Sequence, residues 1–212
     1  MSAKENLLRL PVEPTIATAI PELDRLLNGG FPAGAVATLE GETGRWSLAA
    51  GLLARMTRHS LVAILDDGTL YPPDLAKAGA RLDRVMIIRA HKALEAARAV
   101  DILLRSRICR LVLMPALALR DSIWARLAQL AHRSGVLLIV VAARAGAALG
   151  AVAGLRLHCA LERIVVHGKR GLWGTIAGFE LRVDVRKHRQ MAPGGKTRVR
   201  VRREHTPDAA LR

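Results

Sequence analysis

Aromatic side chains are scarce in this chain: two phenylalanines, one tyrosine and three tryptophans among 212 residues. At 51% apolar content the core must therefore be built from Leu, Val, Ile and Ala, and general disorder is excluded. Cysteine is rarer still. Cys109 and Cys159 show no CxxC spacing, and each falls in an apolar strand context. They read as buried free thiols in a reducing compartment rather than as a disulfide or a metal site. The seven histidines lack H-x-x-x-H spacing, so none reads as a metal ligand. No charged segment followed by an apolar run opens the sequence, and no secretion signal is expected. The nearly uncharged stretch 135–155 is interrupted by Arg144 and turns to Gly and Ala, too weakly apolar for membrane insertion. It reads as a buried strand, 136–141, followed by a loop. A cytoplasmic location without membrane contact is the expectation.

Acidic residues are also few. Eighteen Asp and Glu face 33 Lys and Arg, a formal charge of +15. The imbalance grows toward the end: from Leu181 to Arg212 there are ten cations against Asp184, Glu204 and Asp208. Such a stripe favours polyanions or acidic partners. The candidates are Arg182, Arg186, Lys187, Arg189, Lys196, Arg198, Arg200, Arg202 and Arg203, together with Trp173 in the basic, Gly-rich turn 169–174. An aromatic beside cations suits stacking on a base or entry into a partner pocket, and ordinary hairpin packing is the alternative. A solvated cationic face is the alternative for the arginines.

What the chain does have is alternation. Apolar runs at 36–39, 61–65, 85–88, 111–114 and 136–141 read as strands, and helical periodicity occupies 47–58, 73–80, 91–106 and 121–133 between them. In the third helix Ala93, Ala97, Val100, Leu104 and Ile108 form the inward stripe. In the fourth it is Ile123, Leu127 and Leu130, with Trp124 half-buried beside it. This order predicts an α/β fold with a mostly parallel central sheet flanked by helices. After Leu155 consecutive runs at 157–166, 179–186 and 197–203 predict antiparallel strands extending that sheet. Residues 1–14 read as an N-terminal arm, 15–203 as the domain, and 204–212 as a flexible basic tail.

The strand ending at Glu40 runs into Gly41-Glu42-Thr43-Gly44-Arg45-Trp46-Ser47, where the next helix begins. That is the layout of a phosphate-binding loop, G-x-x-x-x-G-K-[ST], in which backbone N–H groups and the helix N-terminus cradle phosphates. Here two residues rather than four separate Gly41 from Gly44, Arg45 stands at the Lys position and Trp46 at the hydroxyl position. An indole cannot coordinate magnesium, and it would fill the volume meant for phosphate.

With this loop in place the chain resembles the RecA/RadA-like fold over nearly its whole length. Thr18-Ala19-Ile20-Pro21-Glu22-Leu23-Asp24 with Gly29-Gly30-Phe31-Pro32-Ala33-Gly34 is similar to the family's motif ahead of the loop strand. Gly79–Val85 and Lys187–Pro193 are similar to later family segments. The departures point one way. Gly68 stands where the resemblance places a catalytic Glu, and Pro115 where it places the metal-handling Asp; Asp66 or Asp67 would be the substitute acid or base. Phosphoryl transfer needs positioned cations and carboxylates, so no cofactor and no catalysis are expected. The connections after 114 and 144 are too short for the DNA-binding loops that recombinases of this fold carry.

A compact, nucleotide-dead RecA-like chain resembles two groups: ImuA, and the division inhibitor SulA, which binds FtsZ. The intact motif ahead of the loop, the Gly-x-x-Gly-Arg remnant and the basic tail are more similar to ImuA. That resemblance implies an adaptor in damage-induced translesion synthesis. Its partners would be an ImuB-type Y-family polymerase homologue, a DnaE-type error-prone polymerase and RecA, with non-specific DNA contact. A DNA-dependent ATPase of the RecA class is the enzymatic rival.

Overall fold

The computed structural model describes residues 14–68, 70–167 and 175–202. Residues 1–13 of the expected arm, the turn 169–174 with Trp173, and Arg203 with the tail lie outside these. Each predicted strand of the first part is present: β3 at Val36–Glu40, β4 at Val62–Asp66, β5 at Val85–Arg89, β6 at Leu111–Pro115 and β7 at Leu137–Val141. They follow a short hairpin, β1 (Thr15–Ile16) paired with β2 (Phe31–Pro32), which carries helix α1 (Pro21–Leu26) in its loop. Asp24 holds that loop, since its carboxylate accepts the Thr18 backbone N–H at 2.8 Å and the Thr18 hydroxyl at 2.7 Å.

Helices α2 (Arg45–Met56), α3 (Pro72–Lys77), α4 (Ala93–Ser106) and α5 (Asp121–Ser134) connect the strands. The sheet has eight strands, because β8 (Leu155–His167), β9 (Thr175–His188) and β10 (Lys196–Arg202) continue it. Its order is β10-β9-β8-β3-β7-β6-β4-β5. The strands from β3 through β5 are parallel, as crossover helices require. On one face Leu39, Ile64, Leu113 and Ile139 pack against α1, α2 and α3; on the other Val112, Leu138 and Val140 pack against α4 and α5.

Five expectations need correction. Helix α2 begins at Arg45 rather than Ser47, which puts Trp46 in its first turn. Strand β8 is not purely antiparallel: it runs parallel to β3 and antiparallel to β9, so it joins the two halves of the sheet. The segment after β7 that reads as a loop contains a six-residue helix, α6 (Ala147–Val152), where three alanines supply helix propensity without charge or periodicity. Trp124 is 2% exposed, and the inward stripe of α5 is Trp124, Leu127 and Ala131. Ile108 is 54% exposed, because Arg107 takes a left-handed conformation (φ 54°) that ends α4 before the stripe reaches it.

Candidate functional site

The residues expected to form a disarmed nucleotide site share the carboxyl edge of the parallel strands. Gly41 follows β3, Gly68 follows β4, and Pro115 ends β6 opposite Val141 of β7. Ligands of open α/β sheets bind outside this edge. The loop after β3 is turned aside there, however. Gly41 has φ 125°, and a Cβ on it would lie 2.0 Å from the Cys159 carbonyl oxygen of β8, so only glycine fits. A Cβ on Gly44, at φ 83°, would lie 3.0 Å from a side-chain carbon of Leu181. The Leu161 backbone N–H donates to the Thr43 hydroxyl at 3.3 Å. Together these contacts lay the four-residue loop sideways on β8.

Arg45 closes the arrangement from the helix side. Its Nη1 donates to the carbonyl oxygens of Gly41 and, at 2.7 Å, of Glu42. A phosphate loop presents N–H groups to its ligand; here two loop carbonyls converge on a cation. Trp46, which reads equally as a plug for the pocket and as a partner-binding anchor, is 43% exposed on the first turn of α2. Ser47 follows it in the same turn. Asp66, the substitute acid or base, is a clasp. Its carboxylate accepts the N–H groups of Gly68 (2.9 Å) and Leu70 (3.0 Å) and the Arg89 Nε (3.3 Å). Burial alone would raise its pKa, but these hydrogen bonds outweigh it and hold the group below its ordinary value. A carboxylate so held is a poor base.

Beside the loop lies a polar cluster that sequence reasoning missed. Glu40, the last residue of β3, is buried and receives Arg156 Nε at 2.7 Å and Nη2 at 2.9 Å. The Thr38 hydroxyl (2.7 Å) and the Ala145 N–H (3.3 Å) complete its partners. Burial opposes ionisation of Glu40, yet the Arg156, Thr38 and Ala145 hydrogen bonds hold its pKa below the ordinary value. The only signal in the sequence was a charged residue ending an apolar strand. Cys159, across from this cluster, is pushed up to about 12 by burial and then by the charges of Asp184 and Glu40, and is inert as a thiolate.

The late cations fall on one sheet face, because side chains alternate along a strand. Leu181, Val183 and Val185 of β9 and Val199 and Val201 of β10 point into the core. Arg182, Arg186, Arg198, Arg200 and Arg202 are exposed, and Lys196 with them. They are not a bare cationic stripe. Glu180 accepts from Arg163 at 2.8 Å and from Arg200; Glu162 accepts from Arg198 at 2.8 Å and has Arg182 at 4.0 Å. Asp184 lies 3.7 Å from Arg182 and 3.8 Å from Arg186. Hydrogen bonds from Arg163 and Arg200 bring Glu180 down to about 2. Lys187 is employed differently: its Nζ donates to the carbonyls of Gly150 and Ala151, tying the end of α6 to β9. Arg189 lies close to Gly154, the residue just before β8. The acids Glu162, Glu180 and Asp184 were legible as alternating charge along β8 and β9, a pattern hidden by counting cations alone.

One solved structure decides the architecture. The RadB recombinase superposes with a TM-score of 0.66, covering 88% of this chain and 96% of that one at 19% identity. The fold is RecA-like. At that identity the likeness speaks for the RecA-like fold and not for activity. No protein-family model matches the chain, and the search of curated proteins returns no match. Among the described residues of this RecA-like domain no helix is long and apolar enough to cross a membrane, and no cluster of metal-ligating side chains occurs.

Proposed function

We propose that this protein is a non-catalytic RecA-like accessory factor of damage-induced translesion synthesis. It acts as an adaptor for an ImuB-type Y-family polymerase homologue and a DnaE-type error-prone polymerase, and it restrains RecA. The observation that carries the reading is Arg45. A cation committed to the Gly41 and Glu42 carbonyls, in a loop two residues short, leaves no cradle for a triphosphate. Gly68 and Pro115 supply no carboxylate where phosphoryl transfer would need one. A fold retained while its nucleotide chemistry is lost suits a protein whose surfaces are its function. Two measurements test this. A fluorescent ATP analogue should show no saturable binding, with no Mg²⁺-dependent turnover; micromolar binding with turnover would promote the enzymatic reading instead. A tagged full chain should retain the polymerase homologue from extracts of DNA-damaged cells and slow RecA-driven strand exchange when substoichiometric. Retention of a division protein instead would move the assignment to the SulA type.

A further inference from the structure

The open face of β8, β9 and β10 carries seven cations, Arg163, Arg182, Arg186, Lys196, Arg198, Arg200 and Arg202, against the carboxylates Glu162, Glu180 and Asp184. On this side of the sheet α4 and α5 pack on β4, β6 and β7 and stop short of this face, and α6 meets β9 at Lys187, at one end of it. Each carboxylate is shared by two arginines, so the acids order the guanidinium groups without neutralising them. Arg198 remains 79% exposed, Arg163 65% and Arg186 57%, leaving most of their five donors to solvent. Lattices of this kind lose little side-chain entropy when a ligand arrives.

The cations form a pattern. Along edge strand β10 they occupy every second residue, 196 to 202, a repeat of about 6.7 Å at ordinary strand rise. That repeat is of the same order as successive phosphates in an extended nucleic-acid strand. Arg182 lies directly opposite Arg198, and Glu180 with its partner Arg163 lies opposite Arg200, so an inner set of guanidinium planes runs beside the outer column. We infer that a single-stranded nucleic acid lies along this face, its phosphates on the β10 column and its bases over the inner guanidinium groups, which stack on bases. A three-strand surface meets a duplex along one line only, whereas a single strand can contact both columns. The inference rests on the reading above that the protein works beside DNA, but it needs no polymerase partner.

The test is anisotropy of a labelled oligo-dT bound by the full chain across a salt series. Truncation before β10 is no substitute, because Val199 and Val201 are buried core. Four phosphate contacts should give a slope of log K against log salt of roughly −3, and Arg198→Gln/Arg200→Gln/Arg202→Gln should reduce it by about 2. Arg98→Gln/Arg110→Gln, toward the other end of the sheet, should bind as wild type, and both variants should melt cooperatively. Duplex DNA of equal length and poly-glutamate should bind at least tenfold more weakly. An unchanged slope in the triple variant would overturn the inference, as would equal binding of poly-glutamate, which would mark the face as a site for acidic proteins. Loss of oligo-dT binding in the triple variant with polymerase retention intact would leave the adaptor reading standing.

Discussion

Single residues decide the character of the loop after β3. Gly41 is required by contact rather than by turn type, since the Cys159 carbonyl occupies the place of a side chain. Gly41→Ala should therefore lower stability by about 2–5 kcal/mol, combining strain at positive φ with overpacking against backbone. Gly135 is the internal comparison. It also has positive φ (73°), but a Cβ there meets nothing within 4 Å, so Gly135→Ala should cost only about 1 kcal/mol. Urea unfolding of both variants at one temperature checks the difference. Equal losses would mean that the loop moves off β8 to make room. Nothing in the motif distinguishes these two causes, because a glycine kept for phosphate approach and one kept for strand approach look alike in sequence.

At the scale of elements, periodicity located the helices and misjudged their rotation. In α5 the expected stripe of Ile123, Leu127 and Leu130 is rotated by less than a quarter turn from the observed one, and the buried core of the contact is Trp124, Leu127 and Ala131. The large indole is buried on that face with only 2% of its surface exposed. Trp124→Ala should cost about 3–5 kcal/mol, as for other buried aromatic truncations. Ile102, on the outer side of α4 and 66% exposed, is equally apolar on paper; Ile102→Ala should change stability by no more than about 0.5 kcal/mol. Denaturant midpoints at constant m-value separate the two. Asp101 adds a link between these helices, receiving Arg105 of α4 at 2.7 Å and Arg126 of α5 at 2.8 Å. No single-helix pattern contains that link.

For the whole molecule the excess of arginine has a consequence for acid stability. Glu40, Asp66, Asp101 and Glu180 all have pKa values below their ordinary ones, each held there by arginine or backbone hydrogen bonds acting against burial where burial opposes them. A folded-state pKa below the unfolded one contributes stability that is present above the unfolded value and lost as pH falls through the folded value. For Glu180 the window runs from its ordinary 4.5 down to about 2. Stability measured by urea midpoints should therefore fall steadily below about pH 4.5, steepened by repulsion among 33 Lys and Arg as the carboxylates are neutralised. Glu180→Gln should flatten the decline below pH 4 while leaving the core contacts in place. An unchanged profile in that variant would show that the Arg163 and Arg200 contacts are solvent-screened.

The alternation of apolar runs with helical periodicity determined the class of fold, because a parallel strand must be followed by a crossover helix and a chain of Leu, Val, Ile and Ala can bury little else. The residues of the loop were equally plain: Arg45 and Trp46 stand where a phosphate loop has its lysine and hydroxyl, and Gly68 and Pro115 stand where the resemblance places carboxylates. Three things were decided only by the tertiary structure: that β8 runs parallel to β3, that Arg45 turns back on its own loop, and that Glu162 and Glu180 meet arginines across strands. The first and the last depend on which strands become neighbours. Strand pairing joins residues tens of positions apart, and local pattern carries no information about that choice.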